Sequence, residues 1–164
     1  MTGNLILFAR DPGNANQLVA LNELIGAQMA GRDSGTPTGS AARLVAELAG
    51  GREPNQILVF GSGVGAQVLA AASIKVISDP ADAIHQDPVE LFRAQRVDTV
   101  VTGLSDRDDR TPQTLWHAAA MCGAKSVALA DDTTIATKHA KTDLMERFRG
   151  CDDREIFPDL LCVV

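Results

Sequence analysis

The residues of this chain best suited to chemistry stand in short polar turns that follow apolar runs. Arg10-Asp11-Pro12-Gly13-Asn14 follows Leu5 to Ala9, Gly61 to Ala66 follows Gln56 to Phe60, and Thr102 to Asp106 ends the run from Asp98. In the first turn, Arg10 would face an anion. Asp11 is either a carboxylate that orients a ligand hydroxyl or acts as a base, or a turn residue that accepts backbone N–H bonds. The second turn fits the dinucleotide pattern GxGxxG/A over Gly61, Ser62, Gly63, Val64, Gly65 and Ala66, with Asp79 lying 18 residues after Gly61 as a carboxylate for a ribose hydroxyl. Three readings stay open there: a nicotinamide or flavin site, a phosphate or sugar contact, and a tight strand-to-helix turn that needs glycine for positive φ and close packing. In the third turn, Thr102, Gly103, Ser105 and Asp106 either cap the next helix or hold a polar ligand. Asp106 to Arg110 alternates in sign and reads as a solvated loop.

Other candidates are weaker. His85, His117 and His139 are scattered, and no HExxH or zinc spacing occurs, so no metal site is expected. Asp131-Asp132 could hold Mg²⁺, but no phosphate loop of the GxxxxGK(S/T) kind accompanies it. A GxSxG nucleophile elbow is absent as well. Cys122, Cys151 and Cys162 form no CxxC pair and read as reduced thiols of a cytoplasmic protein.

These turns need a scaffold, and the pattern supplies one. Leu5 to Ala9 is continuously apolar, as suits a strand covered on both faces. Pro12 and Gly13 turn the backbone, and a helix is predicted from about Ala15 to Met29, with Leu18, Leu21, Leu24, Ile25 and Met29 in one stripe. After a loop over Gly31 to Ser40, a short helix follows, capped by Ser40 and stopped by Gly50-Gly51. Strands are predicted at Gln56 to Phe60, Lys75 to Ser78, Asp98 to Thr102, Lys125 to Ala130 and Leu160 to Val164. Helices are predicted after Gly65, from Pro88 to Arg96, from Thr111 to about Met121 and from Ala140 to Arg149. The alternation predicts an α/β fold: a three-layer, Rossmann-like, doubly wound and mostly parallel sheet in a single domain. Its strand exits should share one rim, where a ligand would lie. The last strand is either an edge strand or the end of a chain cut from something longer.

Bulk properties narrow the partners. The chain has 164 residues and a formal net charge of -6, with 45% hydrophobic and 22% charged residues. One globular domain fits that length, and the acidic balance argues against a nucleic-acid or anionic-membrane partner. Aromatic residues make up 4% and Tyr is absent, which leaves few platforms for base stacking. The amino terminus reads as a strand, not a signal peptide, and no apolar run is long enough to span a bilayer.

FARDPGNANQL near the start, VDTVVTGLSDRDDRTPQTLWHAAAMCGAKSVALAD in the middle and RFRG with FPDLLCVV near the end resemble the amino-terminal half of GT-B-type glycosyltransferase-like proteins related to UDP-N-acetylglucosamine 2-epimerase. The DPG-AN and TG-SD pieces carry the resemblance. It implies a Rossmann-like domain whose first turn, here Asp11, Gly13, Asn14 and Asn16, faces an interdomain cleft and contributes to acceptor or sugar binding. In two-domain relatives the nucleotide-sugar diphosphate is held mostly by the carboxyl-terminal half, which this sequence lacks. Asp131-Asp132-Thr133-Thr134 also stands where the family has an aromatic-bearing segment. The expected partner is therefore a small sugar- or nucleotide-type ligand, with a homo-oligomer or a completing domain as further options. A non-catalytic nucleotide-binding module and an NAD-dependent enzyme are the alternative readings.

Overall fold

Five consecutive apolar side chains, Leu5 to Ala9, are all buried, because β1 (Asn4–Ala9) is enclosed on both faces and both edges. It pairs in parallel with β2 (Ile57–Gly61) on one side and β3 (Val97–Gly103) on the other. Next to β3 come β4 (Lys125–Ala130) and the edge strand β5 (Leu160–Val163), giving a five-stranded parallel sheet in the order β2-β1-β3-β4-β5. The computed structural model describes residues 2–32, 39–77, 83–104, 110–130 and 158–163.

Side chains alternate across a strand, so β1 feeds two cores. Leu5, Leu7 and Ala9 pack with α1 (Pro12–Met29), α2 (Ser40–Ala49) and α3 (Gly63–Ala71). Ile6 and Phe8 pack on the other face with α4 (Ala83–Gln86), α5 (Pro88–Ala94) and α6 (Thr111–Cys122). Three layers and Rossmann-like winding result, as the β-α alternation predicts. No helix among the described residues is long and apolar enough to cross a membrane.

Several boundaries differ from the sequence reading. Of the strand expected at Lys75 to Ser78, the described part, Lys75 to Ile77, makes one parallel bridge, Val76 to Val59, supported by the Ile77 N–H donating to the Val59 carbonyl at 2.7 Å; Ser78 lies outside the described residues. Immediately before this segment, Ser73 turns left-handed behind α3 and the Ile74 N–H returns to the Leu69 carbonyl. The chain still travels back beside β2 there, so the direction expected of a strand is kept without its ladder. The first helix begins at Pro12, three residues earlier than periodicity indicates, because Pro at N1 suits a helix start and Asp11 caps it. Ser40 is the first residue of α2, and Gly39 occupies the cap position. Gly123 ends α6 in the left-handed conformation, as expected. The predicted helix from Ala140 to Arg149 lies outside the described residues.

At the amino edge of the sheet a polar clasp sets the starting positions of the strands. Arg52, buried, donates to the Leu48 carbonyl at the end of α2 at 2.6 Å, to Thr99 Oγ1 at 3.1 Å, and to Asp98 Oδ1. Asp98 Oδ2 accepts the Gly3 N–H at 2.7 Å, which ties the approach to β1 to the start of β3.

Replacing Arg52 by Met should therefore lower unfolding free energy by about 2 kcal/mol, below the roughly 3–5 kcal/mol of breaking a fully buried pair because Asp98 is partly exposed. Chemical denaturation measures it. Ser73 and Arg96 sit at φ 60 and φ 50 behind helix ends. Ser73→Gly and Arg96→Gly should each stabilise by about 0.5 kcal/mol, the left-handed penalty less the extra chain entropy of glycine. Thermal unfolding checks both.

Candidate functional site

Parallel strands leave the sheet on one edge, and the described exits of β1, β2 and β3 meet there. Asp11 at the N-cap of α1 has extended backbone, and its Oδ1 accepts the Asn14 N–H at 2.8 Å. Its other oxygen accepts from Asn14 Nδ2, so the carboxylate serves both as cap and as anchor for the carboxamide. Asn14 Nδ2 also donates to the Leu104 carbonyl at 3.1 Å, just past β3. The carboxamide lies flat on Gly103, where any Cβ would overlap it. Glycine at 103 is thus what lets the turn after β1 reach across the crevice to the turn after β3. That crevice is where the connections part: the helix after β1 packs on one face and the helix after β3 on the other.

The exit of β2 is bound to the same turn from the other side. The Ser62 N–H donates to the Ala9 carbonyl at 3.1 Å, and the Gly65 N–H to the Arg10 carbonyl at 2.7 Å. A Cβ at Gly65 would stand 2.7 Å from the Arg10 carbonyl carbon, and one at Gly61 would stand 3.0 Å from Ala66 Cα. Gly63 has φ +55. Each glycine of the GxGxxG-like stretch has a backbone or packing reason, which is the tight-turn reading of that motif. Ser62 holds the N-cap of α3 without a side-chain cap bond, and its Oγ is buried with no hydrogen-bond partner.

The structure thus brings Arg10, Asp11 and Asn14 together with Gly61, Ser62, Gly63 and Gly103. Arg10, Gly13 and Asn16 are exposed. Thr102 is fully buried beneath the rim, where its Oγ1 accepts the Trp116 indole N–H at 3.0 Å and holds α6 to β3. Ser105, Asp106, Asp79 and the pair Asp131-Asp132 lie outside the described residues. One rim residue is named in the sequence reading only as a scattered histidine. His85 on α4 stands edge-on to Phe8, with ring centroids 5.9 Å apart, and its Nδ1 is 3.4 Å from Thr111 Oγ1 at the start of α6. No spacing signal marks it, since α4 has only four residues and reaches the rim through tertiary packing.

A separate groove of about 500 Å³ lies at the opposite, amino edge, between α2, the starts of β3 and β4, and Leu160. Its lip carries the exposed Glu47–Lys125 ion pair, in which the lysine hydrogen bond holds the Glu47 carboxyl below its usual range and Lys125 is raised in return. Asp159 Oδ2 accepts the Ser126 N–H at 2.7 Å and the Ser126 hydroxyl at 3.0 Å, which docks β5. These groups fasten the sheet edge, and among the described residues the groove has no base or nucleophile cluster of its own. Among the described residues no group of three or more His, Cys, Asp or Glu side chains could hold a metal ion.

No protein-family model matches the chain, and neither a curated protein nor a solved structure matches it.

The contact of Asn14 with Gly103 is directly testable. Gly103→Ala should destabilise by about 2 kcal/mol through overpacking, and much of that loss should vanish in an Asn14→Ala background, where the new methyl has room. A double-mutant cycle in urea reads the coupling.

Proposed function

We propose that the protein is a sugar- or nucleotide-sugar-binding domain that takes its ligand across the carboxyl rim of the sheet, in the manner of the acceptor half of the GT-B proteins its sequence resembles. The observation carrying this reading is the joining of three strand exits into one polar floor. Gly65 is bonded to Arg10 and Asn14 to Leu104, so the segments around residues 10, 63 and 104 form one surface.

Asp11 supports a binding role more than proton transfer. Both its oxygens accept from Asn14, which leaves only their remaining lone pairs to receive ligand hydroxyls. Asn14, buried and held at two points, positions rather than reacts. A sugar ring edge, rich in hydroxyl donors, is the kind of group such acceptors suit.

The second reading, a non-catalytic nucleotide-binding or regulatory module, is favoured by one observation: α3 opens on the rim with no side-chain cap and no acidic residue in its first turn. The two readings share the rim and differ in what carries the affinity. Thermal-shift screening with UDP-sugars, adenine nucleotides and NAD(H) separates them. A ligand at 100 times its dissociation constant should add about 2.7 kcal/mol of stability. Selective stabilisation by UDP-sugars is expected. Selective stabilisation by adenine nucleotides supports the regulatory module, and selective stabilisation by NAD(H) would replace both with a dehydrogenase.

A further inference from the structure

The groove at the amino edge is bordered by four charged side chains whose order follows from their local contacts. Arg43 stands one helical turn before Glu47 on α2, and Glu47 is bonded to Lys125 at the start of β4. Asp159 is bonded to Ser126, the next residue along β4. The row therefore runs Arg43, Glu47, Lys125, Asp159, with the signs positive, negative, positive, negative. All four residues are exposed. Each inner member responds to its outer neighbour as well, since Arg43 helps to lower the Glu47 carboxyl and Asp159 helps to raise Lys125.

An alternating row with an even number of members fits its own copy. Turned by a two-fold axis and laid against itself, it sets Glu47 opposite the partner's Lys125 and Arg43 opposite the partner's Asp159, and each of these contacts occurs twice. A row of one sign would repel its copy instead. The whole chain carries a net charge of -6, so two copies repel one another in general, and a locally balanced face is where they can approach.

Apolar surface accompanies the row. Leu160 lines the groove at the start of the edge strand β5, and Leu44 and Leu48 of α2 line it too. Leu160 and Leu161 are both exposed, and they are the two adjacent members among the four exposed large hydrophobics of the described residues. An apolar centre with charged groups around it is the anatomy of a protein–protein contact.

We propose that this face is a homodimer interface, in which two copies join their amino-edge grooves about a two-fold axis with Glu47–Lys125 and Arg43–Asp159 contacts made across it. The carboxyl rims lie at the far ends of such a dimer and stay open, so the assembly is independent of the rim-binding reading.

Sedimentation velocity of the full chain over a concentration series tests this. A monomer–dimer equilibrium is expected, and it should weaken as salt rises, because the charged contacts are then screened. Glu47→Lys and Lys125→Glu each bring like charges together at two points and should weaken self-association about tenfold. Both positions are exposed, so the far-UV circular dichroism of each variant should match the wild type. An equimolar mixture of the two variants should form a heterodimer of wild-type affinity, since every contact across the axis is again between opposite charges. Leu160→Ser should weaken the dimer at any salt concentration. A wild-type chain that stays monomeric up to about 1 mM leaves the groove to a different occupant and overturns the proposal. A dimer indifferent to both charge reversals overturns it as well, and so does a mixture of the variants that fails to recover the affinity.

Discussion

Everything at the rim depends on β1 being enclosed from four directions. It has a parallel neighbour on each edge and an apolar layer on each face. Such a strand cannot slip by one residue without sending Ile6 and Phe8 into the core built for Leu5 and Leu7. Its register therefore sets where Arg10 emerges, and Arg10 is the point to which the β2 turn is bonded. A parallel sheet then does the rest, because every strand exit must lie on the same edge as that of β1.

The rim is a place where backbone donors compete for few acceptors. At α1 the competition is resolved locally, by a carboxylate three residues before the N–H it accepts. At α3 it is resolved by tertiary contact, since the Gly65 N–H prefers a carbonyl of the neighbouring turn to its own cap serine. One mouth is thereby closed and the other left with an unused hydroxyl. The same glycine that permits the close approach of helix to turn also takes its N–H away from the cap serine, so the packing and the unpartnered hydroxyl at this point have one cause.

The two edges of the sheet use polar groups for different ends. At the amino edge, Arg52, Asp98, Thr99, Ser126 and Asp159 are engaged with backbone and with one another, and they hold strand starts in place. At the carboxyl edge, Asp11 and Asn14 are engaged in the same way, and each edge keeps one buried atom without a partner, Arg52 Nε at the amino edge and Ser62 Oγ at the carboxyl edge. A groove at the amino edge is the consequence of how α2 and β5 meet the strand starts. Partial burial lifts the Cys162 thiol on β5 above its ordinary pKa, which favours its neutral form.

Sequence alone was enough for the class of fold and for most of the described elements, since five unbroken apolar residues in β1, the Gly123 stop and the β-α alternation are local signals with local causes. It also located the rim turns and left the Gly61 to Ala66 motif open among three readings. It read a full strand from Lys75, where the described residues make a single bridge to β2, because β propensity cannot reveal how far a segment stays in register with its neighbour. It placed Thr102 among ligand contacts, although only the packed position of Trp116 turns that hydroxyl inward. It had no means of finding His85 or Arg52 as members of a network, as their partners are distant in the chain. Strand order, the pairing of Asn14 with Gly103 and the unpartnered Ser62 hydroxyl were decided by tertiary structure, because each depends on two turns meeting in space, and a one-dimensional pattern records the turns without their encounter.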